Sequence, residues 1–509
     1  MRARAGRPGR SAAGSGGMSD RENKTEGTGP PPAAPSSKEA TLPMSASASA
    51  SVPAPGPMPV PEHGGTDAGP PVLCDFSTNA HPLGPPPAVL DAVLAADRQR
   101  YPDPTYAALR GHLARWHDVT TERVLPTAGG SEAIRRLSLA ALLDGIQTVC
   151  VPQPGFGDYA AAAQALGLKV LGWPDVATLL RLMDSAGPCL VWICDPCNPT
   201  GRTLDAAEWV ALDDAQRRTG SRLVVDQAYE ALRLVGASAL PPSLSEQVWR
   251  LVCPNKALGL TGVRAAYLLA PRHDALTPRV AALAASWVLS AEGEALLRAW
   301  ADDEVQEELA DSHDLLREWV QAQQDRLASW GFQRMPGSVT NFWMARLPAL
   351  DASDDLDPDL DLDLDLDLDL GATRRKLASS AMTMPSRPTH PQPASQTHPF
   401  TAPQTLPLQT QGANALPGPL PAPLNKPLPN PLPGTLPPSQ HVPPATHAAL
   451  LAALRHHGIK LRDATSFGYP GWVRLSVQTP AAVMTLVSAL HQVLGPHHAR
   501  TAIAPKDPS

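Results

Sequence analysis

No stretch of this 509-residue chain stays apolar for eighteen residues, which leaves no candidate for a membrane-spanning helix. The arginines near the start are not followed by a continuous apolar run, so no secretory leader is expected, and Met18 and Met44 are alternative candidate starts. There is no basic patch with interleaved aromatics, and so no reason to invoke nucleic acid. Large apolar residues are nearly absent from residues 1–70, which are rich in Pro, Ala, Gly and Ser. Such a segment cannot bury enough surface to fold, and it reads as a disordered N-terminal extension. Cysteine is scarce too. Of the six, Cys74, Cys150, Cys189, Cys194, Cys197 and Cys253, four sit in or beside apolar, strand-like runs. That placement suits buried free thiols in a reducing, cytoplasmic compartment. Cys194-Asp195-Pro196-Cys197 has the Cys-x-x-Cys spacing but no second ligand pair and no thioredoxin-like context, so no metal site is expected.

What is present falls into blocks. Ten aspartates between Asp351 and Asp369 alternate largely with leucines, and a Pro/Thr/Gln/Leu-rich stretch follows to about Pro444. Period-two alternation formally spells a strand, but a row of aspartates on one face would repel itself. The run also lacks the glycines that shape a calcium loop. Residues 351–444 therefore read as a disordered acidic and proline-rich insertion. The formal charge of −7 comes largely from these ten aspartates; without them the balance is about +3, near neutral. Two foldable blocks remain, 71–350 and 445–495, enough for one large and one small domain. We expect a large domain over 71–270 and a small C-terminal domain over 271–350 and 445–495, the insertion entering at a loop, where added length costs little.

Periodicity predicts helices over 88–97, 106–116, 132–143, 159–166 and 206–218, with strands over 148–151, 169–171, 189–194, 222–225 and 248–253. Residues 281–327 read as long helices. Strands at 341–347, 459–461 and 472–477 and helices at 447–457 and 481–494 complete the pattern. Helices alternating with strands, several apolar throughout, predict an α/β fold with a mostly parallel sheet covered on both faces and a smaller α+β domain.

In open α/β sheets, ligands bind beyond the carboxyl ends of the strands, and polar motifs cluster there. Asp195-Pro196-Cys197-Asn198-Pro199-Thr200-Gly201 follows one strand, Asp226-Gln227-Ala228-Tyr229 a second, and Asn255-Lys256-Ala257-Leu258-Gly259-Leu260-Thr261-Gly262-Val263-Arg264 a third. Gly129-Gly130-Ser131-Glu132 opens a helix, a ready phosphate site on free amides. A lysine in a glycine-rich loop with an arginine eight residues on suits a phosphate-bearing aldehyde cofactor, provided neighbours lower the amine's pKa. Read alone, each residue has a plainer explanation. Lys256 could be a surface lysine between two strands, Asp226 a helix cap, Phe156 plain core, and Arg474 and Arg462 exposed strand residues.

Taken together, Asn-Pro-Thr-Gly, Asp-x-Ala-Tyr and Lys-x-x-Gly-Leu-x-Gly-x-Arg make the chain resemble the fold-type I pyridoxal-phosphate enzymes of the class I/II aminotransferase family. It is similar to histidinol-phosphate aminotransferases and to threonine-phosphate decarboxylases, over both blocks and in order. The resemblance implies a pyridoxal 5′-phosphate cofactor and an aminotransferase of amino-acid biosynthesis acting on a small amino substrate. Lys256 would bond the cofactor and shuttle the substrate α-proton. Asp226 would pair with the pyridine nitrogen, Tyr229 and Asn198 would bond the phenolic oxygen, and Phe156 would stack on the ring. Gly130, Ser131 and Arg264 would hold the phosphate, beside Asn255. Tyr101 would reach the phosphate of a second subunit, implying a homodimer. Arg474, assisted by Arg462, would take the substrate's anionic group.

Three positions depart from the family pattern. Asn255 stands where serine or threonine is usual. Ser131 stands where an aspartate is more common. Leu83, in Asn79-Ala80-His81-Pro82-Leu83-Gly84, replaces the tyrosine of histidinol-phosphate aminotransferases and is closer to the decarboxylase pattern. Transamination is the first reading and decarboxylation on the same scaffold the alternative. A cofactor-binding regulator is disfavoured by the intact lysine, aspartate and tyrosine and by the lack of a DNA-binding domain.

Overall fold

The computed structural model describes residues 64–349 and 446–495. The expected insertion at 351–444 and residues 1–63 lie outside the described residues. The chain enters through a short strand, β1 (Cys74–Asp75), and two helices, α1 (Pro87–Leu94) and α2 (Ala107–Trp116). Strand β2 (Val124–Thr127) then leads into α3 (Gly130–Leu143). Alternation follows: β3 (Thr148–Pro152), α4 (Gly157–Ala165), β4 (Lys169–Trp173), α5 (Val176–Ala186), β5 (Leu190–Cys194), α6 (Ala206–Thr219) and β6 (Arg222–Asp226). A short α7 (Pro242–Ser245), then β7 (Trp249–Val252) and β8 (Ala266–Leu269), close the sheet.

These strands form one seven-stranded sheet in the order β2-β8-β7-β6-β5-β3-β4. Only β8 runs against its neighbours; the rest share one direction. Because β3 and β5 are buried at every residue, they read as continuous apolar runs rather than alternating ones. The winding reverses between them: β4 lies outward of β3 on one side, and β6 and β7 follow β5 on the other. That reversal opens a crevice at the strand ends, where a ligand fits.

Helix ends are set locally. Asp205 caps α6 in a reciprocal box with Glu208, and Gly220 ends it in the left-handed region at φ 70°. Such a cap contributes about 1 kcal/mol.

Three more helices, α8 (Thr277–Ala282), α9 (Ala291–Trp300) and α10 (Asp303–Ala328), precede β9 (Gln333–Arg334) and β10 (Phe342–Arg346). After the insertion come α11 (His447–His456), β11 (Ile459–Lys460), β12 (Arg462–Asp463), β13 (Trp472–Ser476) and α12 (Pro480–Leu494). Strands β12-β13-β10-β9 make an antiparallel sheet, and β1 pairs parallel with β11.

The cores divide differently from the expected boundary at residue 270. Val280, Leu296, Trp300, Val305 and Leu316 pack into the core of the large sheet. The second core gathers Phe76, Leu327, Trp343, Leu454, Val473 and Leu490. Helix α10 belongs to both. Its 26 residues span about 39 Å at 1.5 Å per residue, enough to reach from one core to the other.

A second correction concerns residues 64–70, which fall in the expected disordered extension but are placed against the folded chain. Composition missed them because polar and backbone contacts hold them, not apolar burial.

Candidate active site

A cavity of about 710 Å³ opens at the carboxyl edge of the large sheet, within the range of small-molecule sites. Its large-domain wall repeats one geometry. Phe156, Asn198 and Lys256 each lie four residues past the end of their strand, β3, β5 and β7, and Asp226 is the last residue of β6. Gly130, Ser131, Phe156, Asn198, Asp226, Tyr229, Asn255, Lys256, Arg264, Arg462 and Arg474 all line this cavity. Tyr101 does not. It is 77% exposed and stacks on Trp287 at 4.4 Å between ring centroids.

At one end lies an anion cradle. Helix α3 starts at Gly130 with no side chain capping it, so its first amides are open to a ligand. Gly129 has φ 86°, and a Cβ there would stand 2.6 Å from Arg264 Nη2. Only glycine gives both the left-handed turn and the space for that guanidinium. The Ser131 hydroxyl donates to Asp158 Oδ2. Asn255 is buried. It donates to Thr261 O at 3.4 Å through Nδ2, and its Oδ1 has no partner.

At the cavity floor, Asp226 Oδ2 accepts from the Tyr159 hydroxyl at 2.6 Å and Oδ1 from the Ala228 amide at 3.0 Å. Burial holds this carboxyl above its ordinary range, while Tyr159 and Ala228 pull it down. Tyr159 stacks on Trp192 at 4.8 Å. The Lys256 amine lies 5.3 Å from the Tyr229 ring centroid. Burial favours the neutral amine, but Tyr229, Cys253 and Asp226 oppose it, and the net direction is upward. The expectation of a lowered lysine pKa is therefore corrected: the surrounding groups raise it. Burial also raises Tyr229 and pushes Cys253 up to about 12.

Two buried arginines also line the cavity. Arg462 and Arg474 face each other across β12 and β13, and both are buried. Like charges directly opposite are unfavourable, so an anion between them would be strongly held. Arg474 Nη1 donates to Asn198 Oδ1 at 2.5 Å and Nη2 to Ser77 O. Arg462 donates to Ser466 Oγ at 2.8 Å and lies 4.7 Å from the Phe467 ring.

Residues 71–360, more than half of the chain, match the family described as Aminotransferase class I and II. The chain belongs to this family. The chain is 33% identical over 213 residues to the histidinol-phosphate aminotransferase of Halorubrum lacusprofundi, covering 40% of this chain and 57% of that one. It is 29% identical over 236 residues to the threonine-phosphate decarboxylase of Salmonella typhimurium, covering 44% and 63%. The chain thus spans less than two thirds of the length of both relatives. The crystal structure of the histidinol-phosphate aminotransferase from Clostridium acetobutylicum superposes with a TM-score of 0.56 at 14% identity, covering 84% of this chain and 99% of that one. The fold is the fold-type I architecture expected from the sequence.

Sequence reasoning missed several cavity residues. Tyr159, which holds Asp226, was read only as the start of a helix. Its position three residues after Phe156, in the first turn of the helix that Phe156 precedes, was the available signal. Asp158, Phe467 and the segment Gly64–Thr66 also line the cavity, and no motif announced them.

Proposed function

We infer that the chain is a pyridoxal 5′-phosphate-dependent aminotransferase, similar to histidinol-phosphate aminotransferase and acting on a small amino substrate with an anionic group. The observation that carries this reading is one cavity lined by the half-buried Lys256, Asp226 and Tyr229, an arginine-backed helix N-terminus and two further arginines. The residues fit the cofactor. The open amides of Gly130 and Ser131, with Arg264, would hold its phosphate. Asn255, whose Nδ2 donates to Thr261 O, would stand beside that phosphate. Asp226 would pair with the ring nitrogen, and Tyr229 and the Asn198 amide nitrogen would reach its phenolic oxygen. Phe156 would cover the ring, and Lys256 would hold the aldehyde.

When bound, the cofactor supplies an electron sink for the bonds at the substrate α-carbon. The protein's own residues set what happens there. A cationic ring nitrogen beside Asp226 would offset one of the groups that raise Lys256, and burial would then favour the neutral amine. A neutral amine can take the proton from the substrate α-carbon and return it elsewhere. Arg474, assisted by Arg462, would fix the anionic end of the substrate and so decide which α-carbon bond lies across the ring.

Decarboxylation of a phosphorylated amino acid is the second reading. Two facing arginines suit a substrate with two anionic groups, and Leu83 does not line the cavity. Tyr101, stacked on Trp287 at the surface and away from its own cavity, supports a homodimer in which it reaches the neighbouring site. The six free cysteines support a reducing, cytoplasmic setting. Among the described residues no helix is long and apolar enough to cross a membrane.

One experiment tests both readings. The full chain loaded with pyridoxal 5′-phosphate should absorb visible light and lose that band on Lys256→Ala. Single-turnover reactions with amino acids and amino phosphates should bleach the band without releasing carbon dioxide. Carbon dioxide release would select the second reading, and a colourless loaded protein would remove both.

A further inference from the structure

The segment from Gly64 to Pro70 forms no helix or strand, and none of its residues joins a core. Yet Gly64, Gly65 and Thr66 line the active-site cavity. Polar contacts hold them there. The Gly65 amide donates to Ser77 Oγ at 3.0 Å, and the Lys460 amine donates to Gly65 O. Asp67 gathers the rest. Its Oδ2 takes Lys460 Nζ at 2.6 Å, and its Oδ1 takes Arg455 Nη2 at 2.6 Å and the Gly69 amide at 2.9 Å. Lys460 and Arg455 come from β11 and the end of α11, both on the second core.

The glycines fit the same purpose. A Cβ on Gly64 would stand 2.1 Å from Ser77 O, and Gly65 has φ 94°. The strap can lie flat on Ser77 only because these two positions carry no side chain. Ser77 O is also the acceptor for Arg474 Nη2. Strap, Ser77 and the substrate arginine thus form one connected set, and Asp67 is its anchor.

We propose that Asp67 is a positioning residue that clamps segment 64–69 to Lys460 and Arg455 and thereby sets the cavity wall facing Arg474. The inference rests on the functional reading only in naming the substrate as what meets that wall. Asp67 touches no reacting atom. It acts by holding the strap, and through it the Ser77 carbonyl that orients Arg474. With Asp67 gone, the Gly65–Ser77 hydrogen bond and one lysine contact remain, too few to order seven residues without apolar burial.

The test uses the full chain with Asp67→Ala, Asp67→Asn and the charge-keeping Asp67→Glu. Asp67 is half exposed and outside both cores, so the variants keep the fold. Hydrogen–deuterium exchange at residues 64–69 should speed up roughly tenfold in the Ala and Asn variants, the scale of two partly exposed charged contacts. It should stay near wild type in the Glu variant. In the loaded enzyme, KM for the amino substrate should rise about fivefold or more while kcat and the visible band hold. Unchanged exchange in Asp67→Ala would overturn the clamp. Faster exchange with unchanged KM would overturn the strap's part in the substrate site. If the loaded wild type shows neither band nor turnover, the functional reading has failed, and the exchange measurement alone decides the clamp.

Discussion

Tyr159 carries more of the site than its place in the sequence suggests. Its hydroxyl donates to Asp226 Oδ2 at 2.6 Å, inside a wall where burial raises that carboxyl. A hydrogen bond to a charged group stabilises by about 1.5–3 kcal/mol. Tyr159→Phe keeps the ring on Trp192 and removes that bond together with the hydroxyl's contact to Cys194. Affinity for pyridoxal 5′-phosphate should therefore fall by about tenfold or more, measured by titrating the visible band, with little change in melting temperature. Unchanged affinity would mean that the Ala228 amide alone fixes the carboxylate. Asp226 was legible in the sequence because an acid at the end of an apolar strand has few structural duties. Tyr159 was not, because a tyrosine opening a helix reads equally well as core.

At the scale of elements, the sheet was legible where burial is two-sided. Strand β5 is apolar throughout and β6 through its three middle residues, and the expected spans of both lie within a residue of their ends. Strand β2 was missed. It spells Val-Leu-Pro-Thr, and Pro126 argues against a central strand. It is instead an edge strand, paired on one side to β8, where a residue without an N–H is tolerated. Helix α5 was passed over although Val176, Leu179 and Met183 are buried at helical spacing and Asp175 caps it. The contacts between elements were not legible at all. One of them ties the loop after β5 to the turn after β6. Arg233 Nη2 lies 3.2 Å from Asp195 Oδ1, with both side chains buried. This pair joins the segment bearing Asn198 to the one bearing Tyr229. Arg233 keeps Glu230 at 2.8 Å, so Asp195→Ala removes only part of its compensation. The expected loss is about 2 kcal/mol of stability, read by denaturant titration, with weaker cofactor binding as both loops loosen. A variant as stable as wild type would show that Glu230 alone satisfies the guanidinium.

For the whole molecule, two histidines, His81 buried and His117 half-buried, make acid the weak side of the stability profile. His81 sits where the N-terminal arm, the lysine loop and α10 meet. Its amide donates to Lys256 O at 2.9 Å, its Nδ1 accepts from the Leu83 amide at 3.3 Å, and its Nε2 lies 2.9 Å from Ser312 Oγ. Ser312 Oγ in turn donates to Leu309 O, so Nε2 carries the proton and the ring is neutral. Burial first, and then His313, draws His81 down to about 4. His117, against the Tyr267 hydroxyl at 2.7 Å, is drawn down to about 3, by burial and then Arg250. In both cases the folded value lies below the ordinary one of about 6.5. Between those values the unfolded chain binds more protons, so the stability each histidine contributes is complete above pH ~6.5 and is lost as pH falls. The loss runs toward pH 4 for His81 and toward pH 3 for His117. For His81 the shift corresponds to something on the order of 3 kcal/mol. At roughly 2 °C per kcal/mol for a protein of this size, the melting temperature should drop by several degrees between pH 6.5 and 4. His81→Gln has no charge to gain on unfolding, so its curve should start lower at pH 7, flatten over that window, and meet the wild-type curve near pH 4. Parallel curves would show that His81 already titrates in the folded chain and that the acid weakness comes from other groups.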